Sequence, residues 1–279
     1  MNNNVIINTL VENSVNIAGL HAEHGLSLMI RIGDKKLLFD TGQSDLLLHN
    51  AQKMGLALDD IDAVVLSHGH YDHTGGLEAI CRQSPKTKFY AHPAVPDPKF
   101  SQNADGKSRF IGLPPGCVEL LRRNDGMTWT PKPTEVLPGL FVTGEIPRKN
   151  NFEDTGGRFF LDAGCSRPDP LLDDQALFFD TERGLVVILG CAHAGVINTL
   201  EFISSLTSNR PFHAVLGGMH LNNASPDRMN ATIEALARWS PNQIIPAHCT
   251  GISATARLIN AFPGRCSTCP VGTRLVFQR

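Results

Sequence analysis

Residues 62–76 read DAVVLSHGHYDHTGG, an apolar run followed at once by three histidines and an aspartate. The apolar middle of 62–67 predicts a short buried strand. Residues two apart in an extended segment point the same way, so His68 and His70 can bind one ion from one side. Asp72 and His73 follow after a turn and can reach a second ion. Because imidazole and carboxylate are ligands of zinc and similar ions, the stretch predicts a metal centre at a strand end.

Three more histidines occupy equivalent places later in the chain. Each follows a predicted strand, precedes a predicted helix and has glycine close by: His193 in GCAHAG, His220 in GGMHL and His248 in PAHCTG. Ligands carried at successive strand ends converge on one edge of a sheet. A single histidine of this kind could be an ordinary loop residue, but the repetition predicts that all three join the cluster.

The spacing of apolar residues predicts an alternation of strands and helices around these motifs. Strands are expected at Val5–Val11, 26–32, 36–39, Lys88–Ala91, 140–143, 175–179, 185–189, 213–216, 243–245 and 273–277. Helices are expected at 45–54, 77–82, Val196–Leu206, Pro226–Trp239 and 253–261. Ser225 is the expected N-cap of the helix that starts at Pro226. Prolines and glycines crowd residues of about 93–175, which predicts a loop-rich insertion that could cap the site.

Composition limits the class of protein. The chain has 279 residues, 42% of them hydrophobic and 19% charged, which suits a single globular domain without disulfide support. The seven cysteines are an odd, scattered set, which favours reduced thiols. The formal net charge of −2 gives no overall attraction to nucleic acid or anionic membrane. With no recognisable signal segment or long apolar span, we expect a cytoplasmic protein that does not enter membranes.

The segment HGHYDHTGG resembles the HxHxDH signature of the metallo-β-lactamase superfamily. Asp40-Thr41-Gly42 resembles that family's first motif, His193 its third-motif ligand and His248 its last. The resemblance implies an α/β (α+β) fold, a four-layer αβ/βα sandwich of metallo-β-lactamase type, spanning residues 1–279 as one domain. Within the superfamily, GCAHAGVINTL, GGMHL, AHCTG and GEIPR are similar to the 7,8-dihydropterin-6-methyl-4-(β-D-ribofuranosyl)aminobenzene-5'-phosphate synthase-like branch.

The resemblance also implies a set of metal ligands. His68, His70 and His193 would hold a first ion, and a second would be held by Asp72, His73 and His248. Asp40 would support the metal loop from behind. Zn²⁺ is the expected ion, as one or two copies, while Mn²⁺ or Fe²⁺ would accept the same ligands.

One motif departs from the family pattern. The fourth motif usually carries an Asp or Cys that bridges two metals, but here the strand end reads Gly217-Gly218-Met219-His220. His220 is therefore expected either as a substitute ligand or as a contact to substrate. The missing carboxylate leaves open whether one or two ions bind.

The implied function is metal-dependent hydrolysis of a small, anionic or phosphorylated molecule by activated water, with Asp72 orienting the water or taking its proton. Arg148 and Glu145, in GEIPR, are the expected substrate contacts, because arginine suits phosphate and carboxylate groups. The alternative is the condensing synthase activity of the branch name. A nuclease, which basic and aromatic residues would favour, and a non-catalytic metal-binding protein are further alternatives.

The cysteines near these motifs have simpler interpretations. Cys191 and Cys249 lie beside ligand histidines and are interpreted as packing residues. Cys266 and Cys269 form a CxxC without a second pair, and are interpreted as ordinary thiols. The sequence does not predict an oligomeric state.

Overall fold

The computed structural model describes residues 4–123 and 125–279. The strands, in chain order, are β1 (Val5–Val11), β2 (Ser27–Ile32), β3 (Lys35–Phe39), β4 (Ala63–Val65), β5 (Lys88–Ala91), β6 (Phe100–Gln102), β7 (Ser108–Phe110), β8 (Met127–Trp129), β9 (Thr134–Leu137), β10 (Leu140–Val142), β11 (Phe159–Phe160), β12 (Leu177–Thr181), β13 (Gly184–Leu189), β14 (Phe212–Gly218), β15 (Gln243–Ala247) and β16 (Arg274–Phe277). The helices are α1 (Leu46–Lys53), α2 (Tyr71–Thr74), α3 (Leu77–Gln83), α4 (Cys117–Arg123), α5 (Val196–Leu206), α6 (Pro226–Trp239) and α7 (Ile252–Ala261), and a 3₁₀ turn covers His248–Thr250.

Two large sheets form the centre of the molecule. The first has the order β16-β1-β2-β3-β4-β5-β8 and the second the order β15-β14-β13-β12-β10-β9. Apolar side chains of both sheets, such as Phe39, Val65, Phe179 and Leu216, form one buried core between them. A second core joins the outer face of the second sheet to α5–α7, and a third joins the first sheet to α1, α3 and α4. The predicted four-layer αβ/βα sandwich is therefore confirmed.

Local sequence signals placed several elements correctly. Strand β1 and helices α5 and α6 begin and end at the predicted residues. Ser225 caps α6 as expected, because its hydroxyl accepts a hydrogen bond from the Arg228 N–H at 3.1 Å. The predicted strand 175–179 was misplaced and is Leu177–Thr181. Gln175 instead joins the two sheets, with its N–H donating to Ser67 O and its side-chain amide to Leu66 O.

The predicted insertion at about 93–175 needs correction, because much of it belongs to the main layers. Strand β8 pairs in parallel with β5, and β9 and β10 extend the second sheet. Only β6, β7 and β11 form a separate sheet, in the order β11-β6-β7. This small sheet contributes Ser101, Arg109 and Phe159 to the wall of a cavity at one edge of the sandwich.

The direction of the strands determines where the motif residues meet. Strands β3 and β4 run parallel in the first sheet, as do β13, β14 and β15 in the second. The segments that follow these strands therefore lie at a common edge. No helix in the described parts of the chain is long and apolar enough to cross a bilayer.

Candidate metal centre

His68, His70 and His193 form the first group of possible ligands. Their ligand atoms lie within 4.8 Å of one another, and all three side chains are buried. His68 Nε2 is 3.0 Å from His70 Nδ1. Two nitrogens on one tetrahedral zinc ion, each about 2.05 Å from it, would be about 3.3 Å apart. The spacing of this pair therefore suits a shared ion.

The orientation of His193 supports the same interpretation. Its Nδ1 lies 2.8 Å from Thr155 O, which can only accept, so Nδ1 carries the proton. The lone pair then belongs to Nε2, which is buried and has no hydrogen-bond partner among the described residues. A buried nitrogen of this kind costs free energy unless something binds it, and a cation would do so.

Asp72, His73 and His248 form the second group. His73 Nε2 is 3.2 Å from His248 Nε2, and Asp72 Oδ2 is 3.3 Å from His248 Nε2 and 3.9 Å from His73 Nε2. These distances again suit atoms that share one tetrahedral ion. His24 Nε2 approaches Asp72 Oδ2 to 3.1 Å from the solvent side, with its side chain 54% exposed. The sequence analysis did not identify His24, because no motif contains it.

Asp40 supports both groups from beneath. Its Oδ2 accepts a hydrogen bond from His73 Nδ1 at 2.6 Å, which leaves Nε2 of His73 free for an ion. The same carboxylate accepts from the N–H and the hydroxyl of Ser67, both at 2.7 Å. The Ser67 hydroxyl is also 2.9 Å from His68 Nδ1. Asp40 therefore contacts His73 directly and reaches His68 through Ser67, while its support of a bound metal stays a prediction.

Strand β1 supplies a second support that the sequence analysis missed. Asn13 Oδ1 lies 2.9 Å from His248 Nδ1, and Glu12 accepts the His248 N–H at 2.8 Å. Both residues come from VENS, at the end of β1. The only signal in the sequence was that Glu12 and Asn13 are polar and follow an apolar strand. Most loops share this pattern, so it does not identify a site residue.

A buried ion pair holds the loop between His68 and His70. Asp173 accepts the Gly69 N–H at 2.7 Å, and Lys99 Nζ lies 3.0 Å from Asp173 and 3.1 Å from Asp169. Position 69 must be glycine, because an added Cβ would lie 2.3 Å from Val95 O. The sequence analysis found neither Lys99 nor Asp173, since neither lies near a histidine motif.

Charge in the cluster favours cation binding. Burial lowers the pKa of His68 and of His193 well below the usual value, so both imidazoles are neutral at pH 7. Burial opposes the charged form of Asp72, but His73 and the hydrogen bonds from His24 and His248 hold its pKa well below the usual range. Burial also disfavours protonated His73, yet Asp40 and Asp72 raise its pKa to about 9. Neutral His68 and His193 and ionised Asp72 are in the state that binds a divalent cation, whereas protonated His73 would have to release its proton on binding.

A cavity of about 410 Å³ opens onto the cluster. His220 lies in its wall, with its ring centroid 4.4 Å from that of His193. Gly156 packs against the His220 ring so closely that an added Cβ would lie 2.0 Å from Nδ1. The guanidinium carbon of Arg109 lies 5.5 Å from the centre of the Tyr71 ring, and both residues line the cavity.

Comparison with known proteins relates this chain to a family. The 7,8-dihydropterin-6-methyl-4-(beta-D-ribofuranosyl)-aminobenzene-5'-phosphate synthase of Methanocaldococcus jannaschii is 31% identical, over 93% of this chain and 92% of its own length. The family model of the metallo-β-lactamase superfamily matches residues 22–149. The chain belongs to the metallo-β-lactamase superfamily.

Two solved structures share the fold of this chain. Tm1679, a metal-dependent hydrolase of the β-lactamase superfamily, is 32% identical, with a TM-score of 0.83 over 97% of this chain and 98% of that one. Zn²⁺-bound PqqB from Methylobacterium extorquens has 15% identity and a TM-score of 0.59, over 97% of this chain and 99% of that one. The second likeness concerns the fold alone.

Two residues of the branch motif, Arg148 and Glu145, lie outside the wall of the cavity. Arg148 donates to His193 O at 2.6 Å and to Pro170 O at 2.9 Å. Glu145 is exposed and approaches His92 Nε2 only to 4.0 Å. Neither lines the cavity of this metallo-β-lactamase-fold protein. Arg148 thus connects the His193 loop to the segment at Pro170, and Arg109 is the cation that faces the cavity. Substrate binding by Arg148 and Glu145 stays a prediction.

The cysteines divide into two kinds. Cys269 Sγ lies 3.0 Å from Thr9 Oγ1 in the core, and neither Cys266 nor Cys269 occurs in the ligand groups found within residues 4–123 and 125–279. Cys191 differs, because its Sγ lies 3.2 Å from His73 Nε2. The interpretation of Cys191 as a packing residue does not account for this contact with His73, an expected metal ligand.

Proposed function

We propose that this protein is a metal-dependent hydrolase that acts on a small anionic or phosphorylated molecule. One observation carries the proposal: the two ligand groups have the separations of atoms that share an ion, and both border a cavity of about 410 Å³. His68, His70 and His193 would hold one ion, and Asp72, His73 and His248 the other. The 32% identity to Tm1679, a metal-dependent hydrolase, supports the same reaction class.

A bound divalent ion would lower the pKa of water from about 15.7 to roughly 7 and would polarise a carbonyl or phosphoryl oxygen. Zn²⁺ suits the imidazole and carboxylate donors best, while Mn²⁺ or Fe²⁺ would also accept them. Asp72 borders the cavity and stays ionised at neutral pH, so its carboxylate can accept a hydrogen bond from water and orient it. Asp40, Asn13 and Thr155 fix the imidazole rings, so the ligand atoms keep their positions through turnover.

The cavity wall supports an anionic substrate with an apolar part. Arg109 is the only lysine or arginine among the described residues that line it. A guanidinium forms paired hydrogen bonds with phosphate or carboxylate oxygens. Tyr71, Phe159 and Ile111 provide apolar surface nearby. We further propose a small-molecule substrate and a cytoplasmic location. The formal net charge of −2 gives no overall attraction to nucleic acid.

The test uses chelator-stripped protein reloaded with Zn²⁺ or Mn²⁺ and a panel of phosphomonoesters, phosphodiesters and lactones. We expect turnover that depends on added metal and is lost in Asp72→Asn. Arg109→Ala should raise KM for anionic substrates about tenfold, which corresponds to one charged hydrogen bond. The matched control is Arg122→Ala, on an exposed position of α4, which should behave as the parent protein. Turnover that is indifferent to metal would contradict the proposal.

A second candidate is the condensation of a dihydropterin with a ribosyl-aminobenzene phosphate. The 31% identity to the synthase of M. jannaschii, over nearly the full length of both chains, favours it. That reaction joins two molecules, so chromatography of mixtures with both pterin and ribosyl-aminobenzene phosphate would detect a product that hydrolysis cannot give. Formation of this product, without hydrolysis of the ester panel, would replace the hydrolase proposal.

A further inference from the structure

Cys191 occupies the space between the two ligand groups. It follows β13 by two residues and is only 3% exposed. Its Sγ lies within 4.8 Å of the ligand atoms of three separate pairs: His68 with His73, His193 with His220, and His248 with Cys249. One sulfur atom therefore reaches both halves of the metal centre.

The contact with His73 has the geometry of two ligands on one ion. Cys191 Sγ is 3.2 Å from His73 Nε2. For a tetrahedral zinc with bonds of about 2.3 Å to sulfur and about 2.05 Å to nitrogen, the two ligand atoms would be about 3.5 Å apart. Because His73 Nδ1 donates to Asp40, Nε2 is the ring nitrogen that remains to bind an ion, and it faces the sulfur.

The residues around Cys191 leave no room for a side chain at Gly218, the last residue of β14. An added Cβ at Gly218 would lie 2.6 Å from Cys249 Sγ and 3.2 Å from Cys191 Cα. With Gly190 O only 2.4 Å from the same position, the segments after β13 and β15 together fill the space that a side chain at position 218 would need. His220, the nearest possible ligand on that segment, has its ring against Gly156 and His193 instead.

We propose that Cys191 binds metal as a thiolate and takes the place of the bridging carboxylate between the two ion positions. The inference rests on the metal centre of the proposed function. On binding, the thiol gives its proton to solvent and the sulfur forms a bond to the ion. A thiolate is a soft ligand, so the site should prefer Zn²⁺ and Co²⁺ over Mn²⁺.

Cobalt spectroscopy of the chelator-stripped, Co²⁺-loaded protein tests this directly. We expect a thiolate-to-cobalt charge-transfer band in the near ultraviolet that disappears in Cys191→Ser. Cys249→Ser should retain the band, because the Cys249 thiol is directed at Cys191 O at 3.6 Å. Cys81→Ser, in α3 on the outer side of the first sheet, is the distant control.

A second measurement identifies the ligand atoms themselves. X-ray absorption of the Zn²⁺-loaded parent protein should require a sulfur neighbour at about 2.3 Å in addition to nitrogen and oxygen. Cys191→Asp should bind metal without sulfur in the shell and should accept Mn²⁺ more readily than the parent protein.

The outcomes separate the two proposals. Failure to take up any ion would overturn the metal centre and the inference with it. Metal uptake with no charge-transfer band and no sulfur neighbour would overturn the role of Cys191 alone and leave the hydrolase proposal intact. Loss of the band in Cys249→Ser, but not in Cys191→Ser, would also contradict the inference.

Discussion

Four residues of the metal centre have backbone φ angles in the left-handed region: Asp40 (61°), Ala192 (53°), His220 (46°) and His248 (48°). Residues with a Cβ rarely adopt this conformation, and each costs on the order of 1–3 kcal/mol. Such strain persists only where the surrounding contacts hold it, as the Asp40 and His248 hydrogen bonds do here. The contacts of the folded chain therefore hold the backbone at Asp40 and His248, two residues of the candidate metal centre, in this conformation.

Lys99 is the residue whose loss should damage the metal loop most without touching a ligand. It is 1% exposed and pairs with Asp169 and Asp173, and Asp173 also holds the Gly69 N–H. Lys99→Met would leave two buried carboxylates without their cation, which costs about 3–5 kcal/mol. We expect this loss in the free energy of unfolding of the metal-stripped protein, measured with urea.

The control for this prediction is Lys35→Met. Lys35 pairs with Asp62 at 2.6 Å, but its side chain is 56% exposed. An exposed pair contributes only about 0–1 kcal/mol, so this variant should stay close to the parent protein. Equal effects of the two substitutions would mean that the Lys99 pair contributes no more than a surface contact.

At the scale of elements, we expect helix α6 to contribute to the free energy of unfolding without affecting the metal centre. The helix begins at Pro226 after Ser225, whose hydroxyl satisfies the Arg228 N–H. Ser225→Ala should lower the free energy of unfolding by about 1 kcal/mol, the usual cost of losing an N-cap. Metal content should not change, because no ligand lies on this helix.

Ser225→Asp is the matched variant, since aspartate can accept the same hydrogen bond and suits the positive end of the helix. Its stability in urea should match that of the parent protein. A loss of stability as large as that of Ser225→Ala would show that packing at this position, rather than capping, determines the effect.

At the scale of the whole molecule, one buried carboxyl makes stability depend on pH. Asp174 accepts the Ala194 N–H at 2.7 Å, while its Oδ1 has no partner within the part of the chain that the structure describes. Burial raises the pKa of Asp174 to about 7, from 3.8 for an ordinary aspartate. The folded protein therefore holds this proton more tightly than the unfolded chain does.

The sign of the effect follows from proton linkage. The contribution of Asp174 to stability is complete below pH 3.8 and is lost as the pH rises through about 7. The metal-stripped parent protein should therefore have a lower free energy of unfolding at about pH 8 than at about pH 5 on account of Asp174. Asp174→Asn should remove this contribution, so its free energy of unfolding relative to the parent protein should be higher at about pH 8 than at about pH 5. Urea unfolding at both pH values measures the difference. The same gain in Asp59→Asn, an exposed carboxylate, would contradict the assignment.

The sequence by itself determined the features that lie within short segments. The HGHYDH motif gave four candidate ligands, and glycine-flanked strand ends gave His193, His220 and His248. The bounds of α5 and α6 and the Ser225 cap also followed, because capping and helical periodicity depend on neighbours a few residues away. The overall sandwich followed from the family resemblance, which rests on the same short motifs.

Only the tertiary structure decided how distant segments meet at the site. It brings Asn13 to His248, Asp173 to Gly69 and the Cys191 sulfur to His73. It also turns Arg148 toward the His193 carbonyl and puts Arg109, from the small sheet, at the cavity. These contacts join residues up to 235 positions apart, and they exist only because two sheets pack face to face. A sequence pattern gives the spacing of residues along the chain. Contacts between distant residues depend instead on how whole layers pack against each other.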